Sequence, residues 1–252
     1  MIAVSLENVC FSRPGRGRIL EDISCSIEAG KKVAILGANG AGKTTFLSLI
    51  SGHLKPESGK VALNGKPLYA ISQLERARSI ALLPQIERLP FNYSVLDFVL
   101  MGRAPHIQRL SQPSEQDYAM ARSALSELHL EQLEQRSAAE ISGGEFQLIR
   151  IARCLAQEAD TLVLDEPTSL LDPANSQRVA RELVLLAKKN RTIIFSTHDL
   201  ALVQSVSDLV LLLYNKKVMI FDTPSAVLEP STLEKSYGIS FRMLKVPTAY
   251  LG

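Results

Sequence analysis

The sequence has too few cysteines, too even a charge balance and too short an apolar run to fit several whole classes of protein. Its three cysteines, Cys10, Cys25 and Cys154, are an odd number at no metal-ligand spacing. Cys10 and Cys25 fall in alternating apolar stretches, so they suit small buried thiols in a reducing compartment rather than a disulfide framework. The formal net charge is +2 and no five like charges follow one another. The basic stripe of a nucleic-acid binder is therefore missing. The best apolar run, 209–214, is closed by Asp208 on one side and Asn215-Lys216-Lys217 on the other, whereas a membrane-spanning helix needs about 18 or more such residues. The N-terminal MIAVSLENVCF carries a glutamate and no basic segment, which argues against a secretory signal. Any membrane role is expected to come through a partner.

What is present is enough apolar sequence, 46% of 252 residues, for one large domain with a core of its own. Short apolar runs at 33–36, 80–83, 162–164 and 192–195 suit fully buried parallel strands. Helical patterns at 43–50 and 175–188 alternate with them, which predicts an α/β fold with a mostly parallel sheet. Segments 4–11, 23–27 and 61–63 read as a more antiparallel set, and 209–214 with 217–221 as a late hairpin. From about residue 86 to 158 strand patterns give way to helical ones. Ser114-Glu115-Gln116-Asp117 fits a capping box ahead of an apolar face of Tyr118, Ala121, Leu125 and Leu128. That section reads as an inserted helical lobe (86–158) between two parts of a core (1–85 and 159–222), with a tail at 223–252.

Three motifs carry chemistry. Gly37-Ala38-Asn39-Gly40-Ala41-Gly42-Lys43-Thr44 is a complete G-x-x-x-x-G-K-T between a predicted strand and a predicted helix. Glycines let such a loop curl its N–H groups inward onto phosphate oxygens, and the helix N-terminus favours the anion. Lys43 offers a mobile charge to the outer phosphates and Thr44 a hydroxyl to Mg²⁺. The strand 162–164 ends in Asp165-Glu166, placing one acid to hold a hydrated cation and the next to polarise an attacking water. Ile141-Ser142-Gly143-Gly144-Glu145 reads at once as a capping box opening a helix at 146–157 and as a second anion site. A histidine after a strand is commonly a local hydrogen-bonding group. His198 follows 192–197 downstream of Asp165-Glu166, which favours a role in chemistry. His53, His106 and His129 have no such setting and do not read as metal ligands.

In this order, the motifs resemble those of the ABC ATPase family over essentially the whole chain. The loop 37–44 is similar to Walker A, 162–166 to Walker B, and 141–145 to the Leu-Ser-Gly-Gly-Gln signature. Gln85 resembles the glutamine that senses Mg²⁺ and the attacking water, Ser169-Leu170-Leu171-Asp172 the D-loop, and His198 the switch histidine. Phe11 stands where the adenine-stacking aromatic is expected. The resemblance implies a P-loop NTPase core carrying an N-terminal antiparallel β subdomain and a helical lobe. It implies ATP held by Phe11, Gly37, Asn39, Gly40, Ala41, Gly42, Lys43, Thr44 and Thr45, and Mg²⁺ held by Thr44, Gln85 and Asp165. Catalysis would fall to Glu166, His198, Gln85 and Lys43. Two copies would bind head to tail, with Ser142, Gly143, Gly144 and Glu145 of one closing on the ATP of the other and Asp172 at the joint.

Two departures stand out. Glu145 replaces the usual glutamine and brings a carboxylate toward the partner's γ-phosphate; Phe11 replaces the commoner tyrosine. Val99-Leu100-Met101-Gly102-Arg103-Ala104-Pro105-His106 and the tail 223–238 are similar to importers of iron–siderophore, haem and cobalamin, and also of molybdate. Phe98, Val99 and Met101 read equally well as core of the lobe. No C-terminal domain is expected beyond about Gly252, where sugar-importer ATPases often carry one, and that expectation leans the same way. The expectation is a homodimeric ATPase on the cytoplasmic face of the inner membrane, peripheral, working on integral permease subunits with a substrate-binding protein upstream and no nucleic acid. The competing readings are an importer of an oxyanion or a metal ion, a soluble ABC machine, and a nucleotide-gated regulator. Soluble relatives usually show a long coiled-coil insertion or tandem cassettes, absent here, and intact Glu166 and His198 disfavour the regulator.

Overall fold

The computed structural model describes residues 1–87 and 91–238. Two strands, β1 (Ile2–Arg13) and β2 (Gly17–Glu28), open the chain as a hairpin. The parallel strand β3 (Lys32–Leu36) then runs into helix α1 (Lys43–Ile50). Next come β4 (Ser58–Leu63), the two-residue β5 (Lys66–Pro67), α2 (Gln73–Ser79) and β6 (Ile80–Leu83). Helices α3 (Val95–Leu100), α4 (Glu115–Glu127) and α5 (Gly143–Ala156) follow, with short 3-10 turns at Met101–Arg103, Glu131–Leu133 and Ala138–Glu140 and an isolated bridge from Ser94 to Ser137. The chain returns through β7 (Thr161–Asp165), α6 (Pro173–Ala187), β8 (Thr192–Ser196) and α7 (Leu200–Val206). It closes with β9 (Leu209–Tyr214), β10 (Lys217–Asp222), α8 (Pro224–Val227) and α9 (Pro230–Tyr237).

The central sheet has the order β10-β9-β3-β8-β7-β6, parallel apart from the final hairpin, and the N-terminal sheet the antiparallel order β2-β1-β4-β5. The alternation of strand side chains divides the interior in two. Ala34 and Leu36, Leu162 and Leu164, Ile193 and Phe195, and Val210 and Leu212 face the helices α3 to α6. Val33 and Ile35, Val163, Ile194, Leu211 and Leu213 face α1 and the antiparallel sheet. With both faces covered, the strands are apolar through their middle positions, which is why they read as continuous runs. Full burial of each such side chain is worth about 1.5–3 kcal/mol. The late hairpin turns through Asn215 and Lys216, both at positive φ (47 and 68), the pair of conformations a two-residue type I′ turn requires.

The capping box at Ser114 forms in full: Asp117 N–H donates to Ser114 Oγ and Ser114 N–H donates to Asp117 Oδ2 at 2.9 Å. The one expected at Ser142 forms only in half. Glu145 N–H donates to Ser142 Oγ at 3.4 Å, but the Glu145 carboxylate takes the Ser142 hydroxyl, at 2.6 Å, instead of the Ser142 backbone N–H.

Candidate active site

Parallel strands deliver their C-terminal ends to one edge of a sheet. Here β3, β7 and β8 bring the loop 37–42, Asp165-Glu166 and Ser196 to the same edge. Gly37 can only be glycine: at φ 153, a methyl on it would stand 2.7 Å from the Leu213 carbonyl oxygen. The loop ends at Gly42, which N-caps α1 with no side-chain cap, leaving first-turn amides for an anion.

Lys43 is buried and folds back over the loop, its Nζ donating to the Gly37 carbonyl at 2.8 Å and lying 3.8 Å from Glu166 Oε1. Burial pushes its pKa down, and the nearby Glu166 and Asp165 charges work against that fall. Ser196, the register partner of Asp165, donates Oγ–H to Asp165 Oδ1 at 2.5 Å and accepts the Glu166 N–H at 2.8 Å. Glu166 has a left-handed backbone (φ 52), which a side-chain-bearing residue adopts rarely and at a cost. The turn this produces aims its carboxylate back along the strand edge, where His198 Nδ1 meets Oε2 at 2.9 Å. Tyr237 of α9 packs close by. Burial pushes its hydroxyl up to about 12, with a hydrogen bond from the Gly37 backbone acting the other way.

These elements bound a cleft of about 330 Å³. Asn39, Gly40, Lys43, Thr44, Thr45, Gln85 and Glu166 line one side, and Arg13, Arg16 and Ile19 of the β1–β2 hairpin the other. Phe11 does not line it. The ring is 9% exposed and belongs to the core on the α1 side of the sheet. Two residues further along β1, beyond the end of that core, the side chain that reaches the cleft is Arg13.

Mg²⁺ fits the donor set. Thr44 and Gln85 offer neutral oxygens in the cleft, and Asp165 keeps one carboxylate oxygen beyond the one Ser196 holds. Hard oxygen ligands with room for water suit this ion. No cluster of three or more His, Cys, Asp or Glu among the described residues competes for a metal.

Ser142, Gly143, Gly144 and Glu145 form the N-terminus of α5 and do not line this cleft. Gly144 packs on α6 so closely that a methyl there would stand 2.1 Å from Asn175 Cγ. Asn175 cannot easily yield, because its backbone N–H and its amide both donate to Asp172, at 2.9 and 2.6 Å. Asp172 therefore caps α6 and fixes the residue against which the Ser-Gly-Gly turn rests.

The ABC transporter family model matches residues 20–169. The chain belongs to the ABC transporter family. It is 38% identical over 230 residues to the hemin import ATP-binding protein HmuV of Pseudomonas putida, covering 89% of each. It is also 38% identical to the molybdate import ATP-binding protein MolC of Haemophilus influenzae, covering 92% of this chain and 86% of that one. Its backbone is similar to that of an inward-facing ABC transporter assigned to the metal-chelate type, with a TM-score of 0.87 at 34% identity over 99% of this chain and 95% of that one. The family binds and hydrolyses ATP, and this chain is one of its ATPases.

Within the ABC frame, several site residues have no sequence motif of their own. Ser196 could have been found by aligning the ends of β7 and β8. A second group links distant segments. Arg150 donates to Gln147 Oε1, to Glu87 Oε2 and to the Pro84 carbonyl, while Gln147 donates to the Pro167 carbonyl at 2.7 Å. One buried arginine on α5 thus ties the residues around Gln85 to the residue after Glu166. No helix among the described residues is long and apolar enough to cross a membrane.

Proposed function

We propose that this ABC ATPase drives an importer from the cytoplasmic face of the membrane. It works as a head-to-tail homodimer on integral permease subunits, with a substrate-binding protein delivering cargo. The observation that carries the reading is a pair of chain neighbours. Gln85 lines the nucleotide cleft, while Pro84 lines a second, larger groove of about 670 Å³. That groove runs between Ser51-Gly52-His53 with Arg76 and the Met101-to-Pro105 segment singled out in the sequence. Met101 on its wall is 40% exposed, and Ile86 and Phe91 are more exposed still. A permease segment seated there would press on the same stretch of chain that senses the nucleotide, with Arg150 carrying the displacement toward Pro167. Part of the stretch, including Pro90, lies outside the described residues.

In the cleft, the loop amides and Lys43 hold the β- and γ-phosphates. Thr44, Gln85 and Asp165 would hold Mg²⁺, which would supply positive charge against the charge that develops on the phosphates. Glu166 takes the proton of the attacking water as its oxygen bonds to the γ-phosphorus and ADP leaves. His198 keeps the carboxylate aimed. Ser142, Gly143 and Gly144 meet the γ-phosphate of the other copy's ATP, so hydrolysis releases the joint.

For cargo, kinship with hemin and metal-chelate systems favours a metal chelate such as an iron–siderophore, haem or cobalamin. The equal identity to a molybdate import protein supports an oxyanion as the second reading.

The test is affinity capture of tagged protein from membranes solubilised in mild detergent, beside a Met101→Glu variant. Stoichiometric recovery of a multi-spanning membrane protein, lost in the variant, is the expected result. Recovery of soluble proteins alone, from membranes shown to be intact, would overturn the importer reading.

A further inference from the structure

We propose that Arg13 and Arg16 hold the nucleotide base through the flat faces of their guanidinium groups, in place of an aromatic ring. The proposal rests on the reading of the 330 Å³ cleft as the ATP site.

The two arginines are set by one turn. Arg16 N–H donates to the Arg13 carbonyl at 3.0 Å, with Pro14 between them and Gly15 at φ 76. Proline followed by a positive-φ glycine is the pattern of a type II turn, which holds its first and last Cα atoms within about 7 Å. Both side chains line the cleft. Among the described residues neither pairs with a carboxylate, whereas Arg18 on the same hairpin is paired with Glu57 at 2.7 Å. Two unpaired like charges kept side by side at the mouth of a cleft call for a ligand.

That ligand portion is the base and not the phosphates. The phosphate end is already supplied by Lys43 and the uncapped start of α1. Ile19 lies against Gly42, so the hairpin wall adjoins the end of the loop, and a nucleoside leaving the loop runs onto it. Among the described residues no aromatic side chain lines the cleft. A neutral purine offers a guanidinium only its ring face and edge; arginine is planar, weakly hydrated and stacks on such rings where lysine does not.

The experiment titrates wild type, Arg13→Ala, Arg13→Tyr, Arg13→Lys and Arg16→Ala with Mg-ATP and, separately, with Mg-tripolyphosphate, which has no base. Arg13→Ala and Arg16→Ala are expected to weaken ATP about threefold to tenfold, the scale of one cation–π contact, and to leave tripolyphosphate unchanged. Arg13→Tyr is expected to restore ATP binding and Arg13→Lys to fail. Equal losses for both ligands, rescue by lysine but not tyrosine, or no loss at all would overturn the proposal. Wild-type protein that bound neither ligand would instead overturn the reading of the cleft, and the proposal with it.

Discussion

Glu166 and His198 hold each other across the ends of neighbouring strands, Oε2 to Nδ1 at 2.9 Å, while Lys43 stands 3.8 Å from the other oxygen of the same carboxylate. One acid therefore sits between the lysine proposed to hold phosphate and a histidine that is itself 64% exposed. Glu166 is almost fully buried and both its oxygens are engaged, so its orientation is fixed before any water arrives.

Glu166→Gln keeps the shape and removes the base. ATP hydrolysis is expected to fall by about 10²–10⁴, the usual worth of a positioned base, with nucleotide affinity retained. His198→Ala should slow turnover without abolishing binding. Steady-state phosphate release beside equilibrium binding reads both. Undiminished hydrolysis by the glutamine variant would remove Glu166 from the mechanism.

Glu145→Gln tests the half-formed capping box. The carboxylate holds the Ser142 hydroxyl at 2.6 Å, the group proposed to meet the partner's γ-phosphate. A neutral amide removes a negative charge there and competes less for that hydroxyl, since hydrogen bonds to charged groups are the stronger kind. The ATP-dependent dimer should tighten severalfold by sedimentation; an unchanged or weaker dimer would show that the contact is incidental.

Gly144→Ala should cost about 1–3 kcal/mol, as other forced overpacking does, because Asn175 stands where the methyl would go and is tied to Asp172. Gly143→Ala meets nothing within 4 Å and should cost far less. Urea unfolding of the two variants makes the comparison, and equal losses would contradict the packing described.

Much of this was legible beforehand, and the exceptions share a cause. The buried strands showed through because a sheet covered on both faces needs unbroken apolar runs, and the loop 37–44 because its glycines and lysine keep a fixed spacing. The burial of Phe11 was not legible, because an aromatic in a strand looks the same whether its ring meets solvent or core. Only the extent of the neighbouring core decides which residue of β1 reaches the cleft. Ser196 and the Arg150 network were hidden because their partners, Asp165 for the one and Glu87 with Pro84 for the other, come together across elements that local patterns do not relate.

Glu127 provides the pH test. Burial works to raise its pKa, but Arg191 at 2.6 Å and Lys189 at 2.9 Å outweigh that and hold it below the ordinary glutamate value. A carboxyl with a depressed folded pKa stabilises the protein above its unfolded value, about 4.3, and loses that contribution as pH falls through the folded one. Glu127→Gln should therefore melt below wild type at pH 7 and converge with it under acid. A gap that stays constant down to pH 3 would contradict the assignment.

The central claim is that ATP closes two copies of this chain on one another. Sedimentation of Glu166→Gln with saturating ATP and Mg²⁺ tests it most directly. The account predicts a dimer that forms with ATP and is absent with ADP. A protein that binds ATP fully and remains a monomer would contradict it.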